Sequence, residues 1–180
     1  QALDRGVLIP LTSNYRLLET VSDAIDVRFR FGHDRLQQAV VQILDSKNIK
    51  EAHLAIGRYF RGLPEHRALL DAANHLFAAI DVLNSDELNE LPHLCLQAGN
   101  EAVRTAAYED AFEYFERGIT ALGEEPWKTH PSMALSFHVR LVEIGYNAGR
   151  AAKLESYFAT LQSRPEVDAI AVSPAYIAMA

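Results

Sequence analysis

The apolar positions of this chain change period partway through its first third. Val27, Phe29 and Phe31 alternate with Arg28, Arg30 and Gly32, as in a strand with one buried face. After Gly32-His33-Asp34, the residues Leu36, Ala39, Val40, Ile43 and Leu44 recur at helical spacing, which predicts an amphipathic helix from about Asp34. Upstream, Gln1 to Arg5 reads as a helix end closed by Gly6 and Val7 to Leu11 as a short strand. Thr12-Ser13-Asn14 turns the chain into a second strand around Tyr15 to Thr20. The order is therefore helix end, three strands, helix.

Beyond residue 46 the period stays helical. Asn48 and Glu51 have capping-box spacing and predict a helix start, with Ile49, Ala52, Ile56, Tyr59 and Phe60 as its apolar stripe. Gly62-Leu63-Pro64 ends it and places Pro64 first in the next helix, whose stripe is Leu69, Ala73, Leu76, Phe77 and Ile80. Ser85 caps a helix with Leu88, Leu91, Cys95, Ala98 and Ala102 on one face. Tyr108, Ala111, Phe112, Phe115, Ile119 and Leu122 mark another, closed by Gly123. After a loop from Glu124 to Pro131 come Phe137, Leu141, Ile144 and Ala148, an interruption at Gly149, then Leu154, Phe158 and Leu161, with Pro165 opening a last element. Six antiparallel helices on short connections predict an all-α stack. Ala98, Gly99, Ala111, Phe115 and Gly118 resemble the tetratricopeptide (TPR) pattern, although Phe115 to Phe158 spans 43 residues where that repeat has roughly 34. The loop carrying Pro126, Trp127 and Pro131 accounts for the excess.

Charge narrows the function classes. Residues 1–60 hold eight Lys or Arg against seven Asp or Glu, and residues 61–180 hold nine against seventeen, for a net charge of −7 overall. Neither part has the basic excess that phosphate binding needs, so no nucleic-acid partner is expected. The single cysteine, Cys95, excludes an internal disulfide and a cysteine-built zinc site, in keeping with a reducing, cytoplasmic setting. No signal peptide or 20-residue apolar run is present, so neither secretion nor a membrane is expected. The start at Gln1 and the stop at Ala180 inside an apolar run read as an excised piece of a longer protein.

Candidate chemistry is sparse. His93 and Cys95 stand two apart on a helix and point to different sides, so they cannot pair as base and nucleophile. His53, His66, His75, His93, His130 and His138 fall at no metal-ligand spacing, and no metal is expected. Asp86, Glu87 and Glu90, like Glu109, Asp110, Glu113 and Glu116, have the spacing of solvated helix faces. Gly118 to Gly123 lacks the Lys-Ser/Thr ending of a phosphate loop. Trp127, in its Pro-flanked loop, and Tyr108 are the candidates for an interaction surface.

Three strings then carry a resemblance: FRFGHDRLQQAVVQIL, HLAIGRYF and LCLQAGNEAVRTAAYEDAFEYFERGITALG. They resemble the region after the nucleotide-binding domain of bacterial STAND-type AAA ATPases joined to a serine/threonine or hybrid histidine kinase, often with GAF sensors. Phe31, His33, Asp34, Arg35, Gln37, Gln38 and Ala39 match the first family string; His53, Ile56, Gly57 and Arg58 match the second; Ala98, Gly99, Ala102, Ala107, Tyr108 and Ala111 match the third. Val40, Val41 and Leu96 depart where the family favours Ala, Tyr and Asn. The resemblance implies that residues 1–46 are the C-terminal part of a winged-helix domain and residues 47–180 a truncated TPR-like region. The fold class expected is thus mainly α, an antiparallel helical-repeat stack preceded by a small truncated winged-helix β element; from spacing alone, a small sheet of no named type fits the first part equally well. The resemblance further implies that His33 contacts the β-phosphate of ADP in the whole protein while Asp34 caps the following helix. ATP or ADP with Mg would then be cofactors of the whole protein and none of this stretch. Its partners would be the nucleotide-binding and kinase domains of the same chain, or another protein. The expected function is non-catalytic regulation or scaffolding. The alternative is a transcriptional regulator with a DNA-binding winged helix and a helical sensor, which must work with Arg35 alone against Asp34 and Asp45.

Overall fold

The alternation around Phe29 is realised as strand β2 (Phe29–Phe31), paired antiparallel with β1 (Leu8–Pro10) in the register Leu8 to Phe31, Ile9 to Arg30 and Pro10 to Phe29. Arg30 is exposed while Phe29 and Phe31 are half-buried, the one-sided burial that period two requires. Pro10, which has no N–H to donate, sits at the end of the ladder. The structure, a computed structural model, describes residues 7–11, 29–35, 45–64, 66–164 and 169–179. The predicted helix end at Gln1 to Arg5, the strand around Tyr15 to Thr20 and the helix beyond Arg35 lie outside the described residues. The chain divides into two units, Gln1–Ile49 and Lys50–Ala180.

Helices account for the remainder: α1 (Ser46–Arg61), α2 (His66–Ala78), α3 (Ser85–Arg104), α4 (Tyr108–Ala121), α5 (Pro126–Thr129), α6 (Pro131–Ile144), α7 (Ala151–Gln162) and α8 (Ala169–Met179), with a 3₁₀ turn at Ile80–Val82. The fold is mainly helical with one small two-stranded sheet among the described residues. In the second unit α2 packs on α3, α3 on α4, α4 on α6, and α6 on α5, α7 and α8. Phe112, Phe115, Phe137, Leu91 and Leu141 are fully enclosed at its centre. A smaller cluster, Val142, Leu154, Leu161, Val172 and Ala175, joins α6, α7 and α8.

Two hairpins share one closing device. At the end of α3 the N–H of Ala107 donates to Ala102 O and that of Ala106 to Val103 O. After α6 the N–H of Arg150 donates to Gly145 O and that of Gly149 to Tyr146 O. Both are Schellman closures, which need a left-handed residue just past the helix. Ala106 has φ 59° and Gly149 has φ 68°. Gly99 on α3 and Phe115 on α4 meet at similar distances from their turn, as antiparallel helices do, and a Cβ on Gly99 would stand 2.2 Å from the Phe115 ring.

Several boundaries and faces differ from expectation. Helix α1 starts at Ser46, and its cap is Asp45, whose Oδ1 accepts from the Asn48 N–H at 2.7 Å, so no capping box forms at Asn48. Its predicted stripe is rotated: Ala52, Ile56 and Tyr59 are exposed, whereas His53, Leu54, Gly57 and Phe60 face inward. The box belongs to α3, where Asn84, not Ser85, is the cap: Asn84 Oδ1 accepts from Glu87 N–H and Glu87 Oε2 accepts from Asn84 N–H. The loop after Gly123 contains α5, begun by Pro126 with its pre-set φ. Among the described residues no helix is long and apolar enough to cross a membrane.

Candidate functional site

A polar cluster lies where α1 meets α2 and α3. Gly57 makes the approach possible: a Cβ there would stand 2.7 Å from Leu76 Cγ. One turn before it His53, and next to it Arg58, both matched residues, reach across. Arg58 holds Glu87 through two parallel bonds, Nε to Oε1 at 2.6 Å and Nη2 to Oε2 at 3.0 Å, the strong fork geometry of guanidinium on carboxylate. Glu87 is a buried charge, only 8% exposed, and it serves the ion pair and the α3 cap at once. The hydrogen bond from Arg58 holds its carboxyl below the usual range, against the opposing effect of burial, and Glu87 in turn raises the Arg58 guanidinium. Lys50 with Asp81 and Arg61 with Glu90 add two further ion pairs along α1.

Beside these, His53 Nδ1 and His75 Nδ1 lie 2.9 Å apart, and Phe60 stacks on the His75 ring. Burial, reinforced by His53, lowers the His75 pKa, with Asp71 opposing. A cleft of about 360 Å³ opens nearby, with Phe60, Leu63, Leu69 and Leu94 among its apolar lining and Arg61 and Glu90 among its charged lining. Chemically this is a joint: ion pairs and an imidazole pair fastened to a close helix contact.

A second polar group lies across α4, α6 and α7. His138 is buried, and its Nδ1–H donates to Ala134 O at 2.7 Å, since a carbonyl can only accept. Burial lowers its pKa. The ring lies 4.8 Å from Trp127 and 5.4 Å from Tyr157. Tyr157 OH donates to Glu116 Oε1 at 2.8 Å, and Lys153 pairs with the same carboxylate. Cys95 is enclosed, and burial pushes its thiol up to about 12. Among the described residues no three His, Cys, Asp or Glu side chains converge as metal ligands.

The sequence-derived candidates fall in different units, His33 and Asp34 in the first and Tyr108 and Trp127 in the second. His33 and Asp34 are exposed at the β2 exit. The Arg35 N–H donates to His33 Nδ1 at 3.2 Å, so the imidazole takes the capping place expected of Asp34, which is itself helical. Tyr108 opens α4 half-buried against the core, beside a depression of about 340 Å³ that Glu109, Asp110 and Asn147 share. Trp127 is half-buried, contacts both apolar clusters and carries the Arg164 guanidinium 4.9 Å from its ring, so it is a strut instead of an exposed loop aromatic. Sequence reasoning missed the Glu87 burial and the His53–His75 contact. The Asn84-x-x-Glu87 spacing was a readable signal for the first; nothing local signals the second. Comparison of the chain with protein-family models, curated proteins and solved structures gave no match.

Proposed function

We propose that the chain is a regulatory and scaffolding module of a larger cytoplasmic signalling ATPase, in which a TPR-like stack follows the end of a winged helix and links nucleotide state to kinase output. The observation that carries this reading is the recurrence of one hairpin closure at 43 residues, Ala106 and Gly149, the same interval as Phe115 to Phe158. The matched positions support it too, because they serve packing: Ala98, Gly99, Ala102 and Ala111 are buried between helices, Gly57 lets α1 approach α2, and Arg58 fastens α1 to α3. Such units bury their faces against neighbours and present extended surfaces to partners. Supporting the sensor role, His33 is exposed beside a helix start, where backbone N–H groups favour an anion and the ring nitrogen not engaged by the Arg35 N–H can donate to a phosphate.

The test uses the longer protein that contains this chain, purified with its bound nucleotide. His33→Ala is expected to speed ADP release and raise kinase output, whereas Tyr59→Ser, on an exposed face of α1, leaves both unchanged. Identical ADP retention and output in wild type and His33→Ala would overturn the sensor role. Nucleotide hydrolysis by residues 1–180 alone would overturn the module reading.

A further inference from the structure

Two imidazoles at 2.9 Å share one proton: one nitrogen donates and the other accepts. One added proton, taken on an outer ring nitrogen, leaves a single charge and keeps the bond; a second, taken on the accepting Nδ1, leaves two N–H groups opposed and two like charges in contact, in a half-buried place. We propose that the His53–His75 contact is a proton-operated latch that fastens the Lys50–Arg61 part of α1 to α2 at neutral pH and releases it on mild acidification.

The surroundings make the release local. Phe60 covers His75 on the α1 side, and Asp71 stands one turn before His75 on α2. The other charges around the joint are Lys50 with Asp81 of the 3₁₀ turn, and Arg58 and Arg61 with Glu87 and Glu90 of α3. Carboxylates, lysines and arginines as classes titrate outside pH 5 to 7.5, so an acid step in that range addresses the imidazoles. The direction follows from proton counting. The closed latch binds fewer protons than the open one, so closure is complete above the ordinary histidine range and is lost as pH falls through it. Helix α1 is held by the inward packing of Leu54, Gly57 and Phe60 together with these polar contacts, while its outward residues Ile56 and Tyr59 bury little. An added charge between α1 and α2 therefore acts on the attachment of α1.

Hydrogen exchange read by mass spectrometry at pH 7.5 and 5.0, corrected for intrinsic rates, tests this on the full chain. Protection of residues 50–61 is expected to drop at least tenfold on acidification, while α4 changes less than threefold. In His53→Gln/His75→Gln, which keeps hydrogen-bonding groups but cannot titrate, the drop should shrink below threefold. No drop in wild type, an equal drop in the double variant, or an equal loss across every helix would each overturn the latch. Should the double variant not fold, ring-nitrogen NMR of the wild type decides: the two histidines titrate in separated, mutually dependent steps if the latch exists, and independently near the ordinary histidine value if it does not.

Discussion

The hairpin α3–α4 and the hairpin α6–α7 close with the same pair of hydrogen bonds, yet they place their small residues differently. In the first, Gly99 lies deep in the interface under Phe115, while the left-handed closing residue is an alanine. In the second, the close approach is at the end of the helix, Gly145 against Leu154, and the closing residue is glycine. Left-handed backbone costs a residue with a Cβ about 1 kcal/mol or more. The first hairpin thus tolerates a strained turn because Phe112 and Phe115 bury fully beside it, whereas Phe158 of the second is only half-buried. Packing and turn chemistry substitute for one another.

That comparison can be broken at either end, and the largest effect is chemical. Cys95 reports opening of the first hairpin: at pH 8 its alkylation in the native protein should be slower than that of a free thiol by on the order of a thousandfold, from the suppressed thiolate alone. Thiol labelling with and without denaturant measures it, and equal rates would show α3 to be open. Next, Phe115→Ala should destabilise by about 3–5 kcal/mol by emptying an enclosed site. Phe158→Ala, at the corresponding place 43 residues on, should cost about 1–2 kcal/mol because the ring is half-exposed. Urea unfolding of both variants sets the ratio. Gly99→Ala drives a methyl into the Phe115 ring and should cost about 1–3 kcal/mol.

Smaller still is the exchange of turn residues: Ala106→Gly should stabilise and Gly149→Ala destabilise, each by about 1 kcal/mol. Thermal melts of the pair would refute the turn argument if both shifted the same way. The smallest effect separates the hairpins by pH. His138, held neutral by burial in α6, binds a proton less readily folded than unfolded. Its contribution is therefore full above the ordinary histidine range and declines as pH falls through it. His138→Gln should flatten the acid limb of a Tm-against-pH curve, beyond whatever His75 adds in the same direction.

Legibility followed the strength of the period. Of the α3 stripe, Leu91, Cys95, Ala98 and Ala102 are buried as the spacing requires while Leu88, in the first turn, stays exposed, and α4 begins at Tyr108 as the pattern says. Helix α1 defeated the same reading. Ile56 and Tyr59 look like core, but Gly57 admits Leu76 so closely that the helix turns its glycine, its histidine and Phe60 inward. A stripe read from hydropathy gives no weight to a glycine that invites contact, nor to a histidine that finds a partner 22 residues away. The loop around Trp127 differs for a related reason: two prolines suggest an open loop, and one instead starts a helical turn that sets the indole on His138.

By itself the sequence determined the helical periods, most of the helix boundaries and the apolar residues of α3, α4 and α6, because these follow from local spacing and propensity. Only the tertiary structure decided which face of α1 is buried, that Arg58 reaches Glu87, and that His53 meets His75. Each of those depends on the distance between helices, which a single glycine sets and which no local pattern encodes.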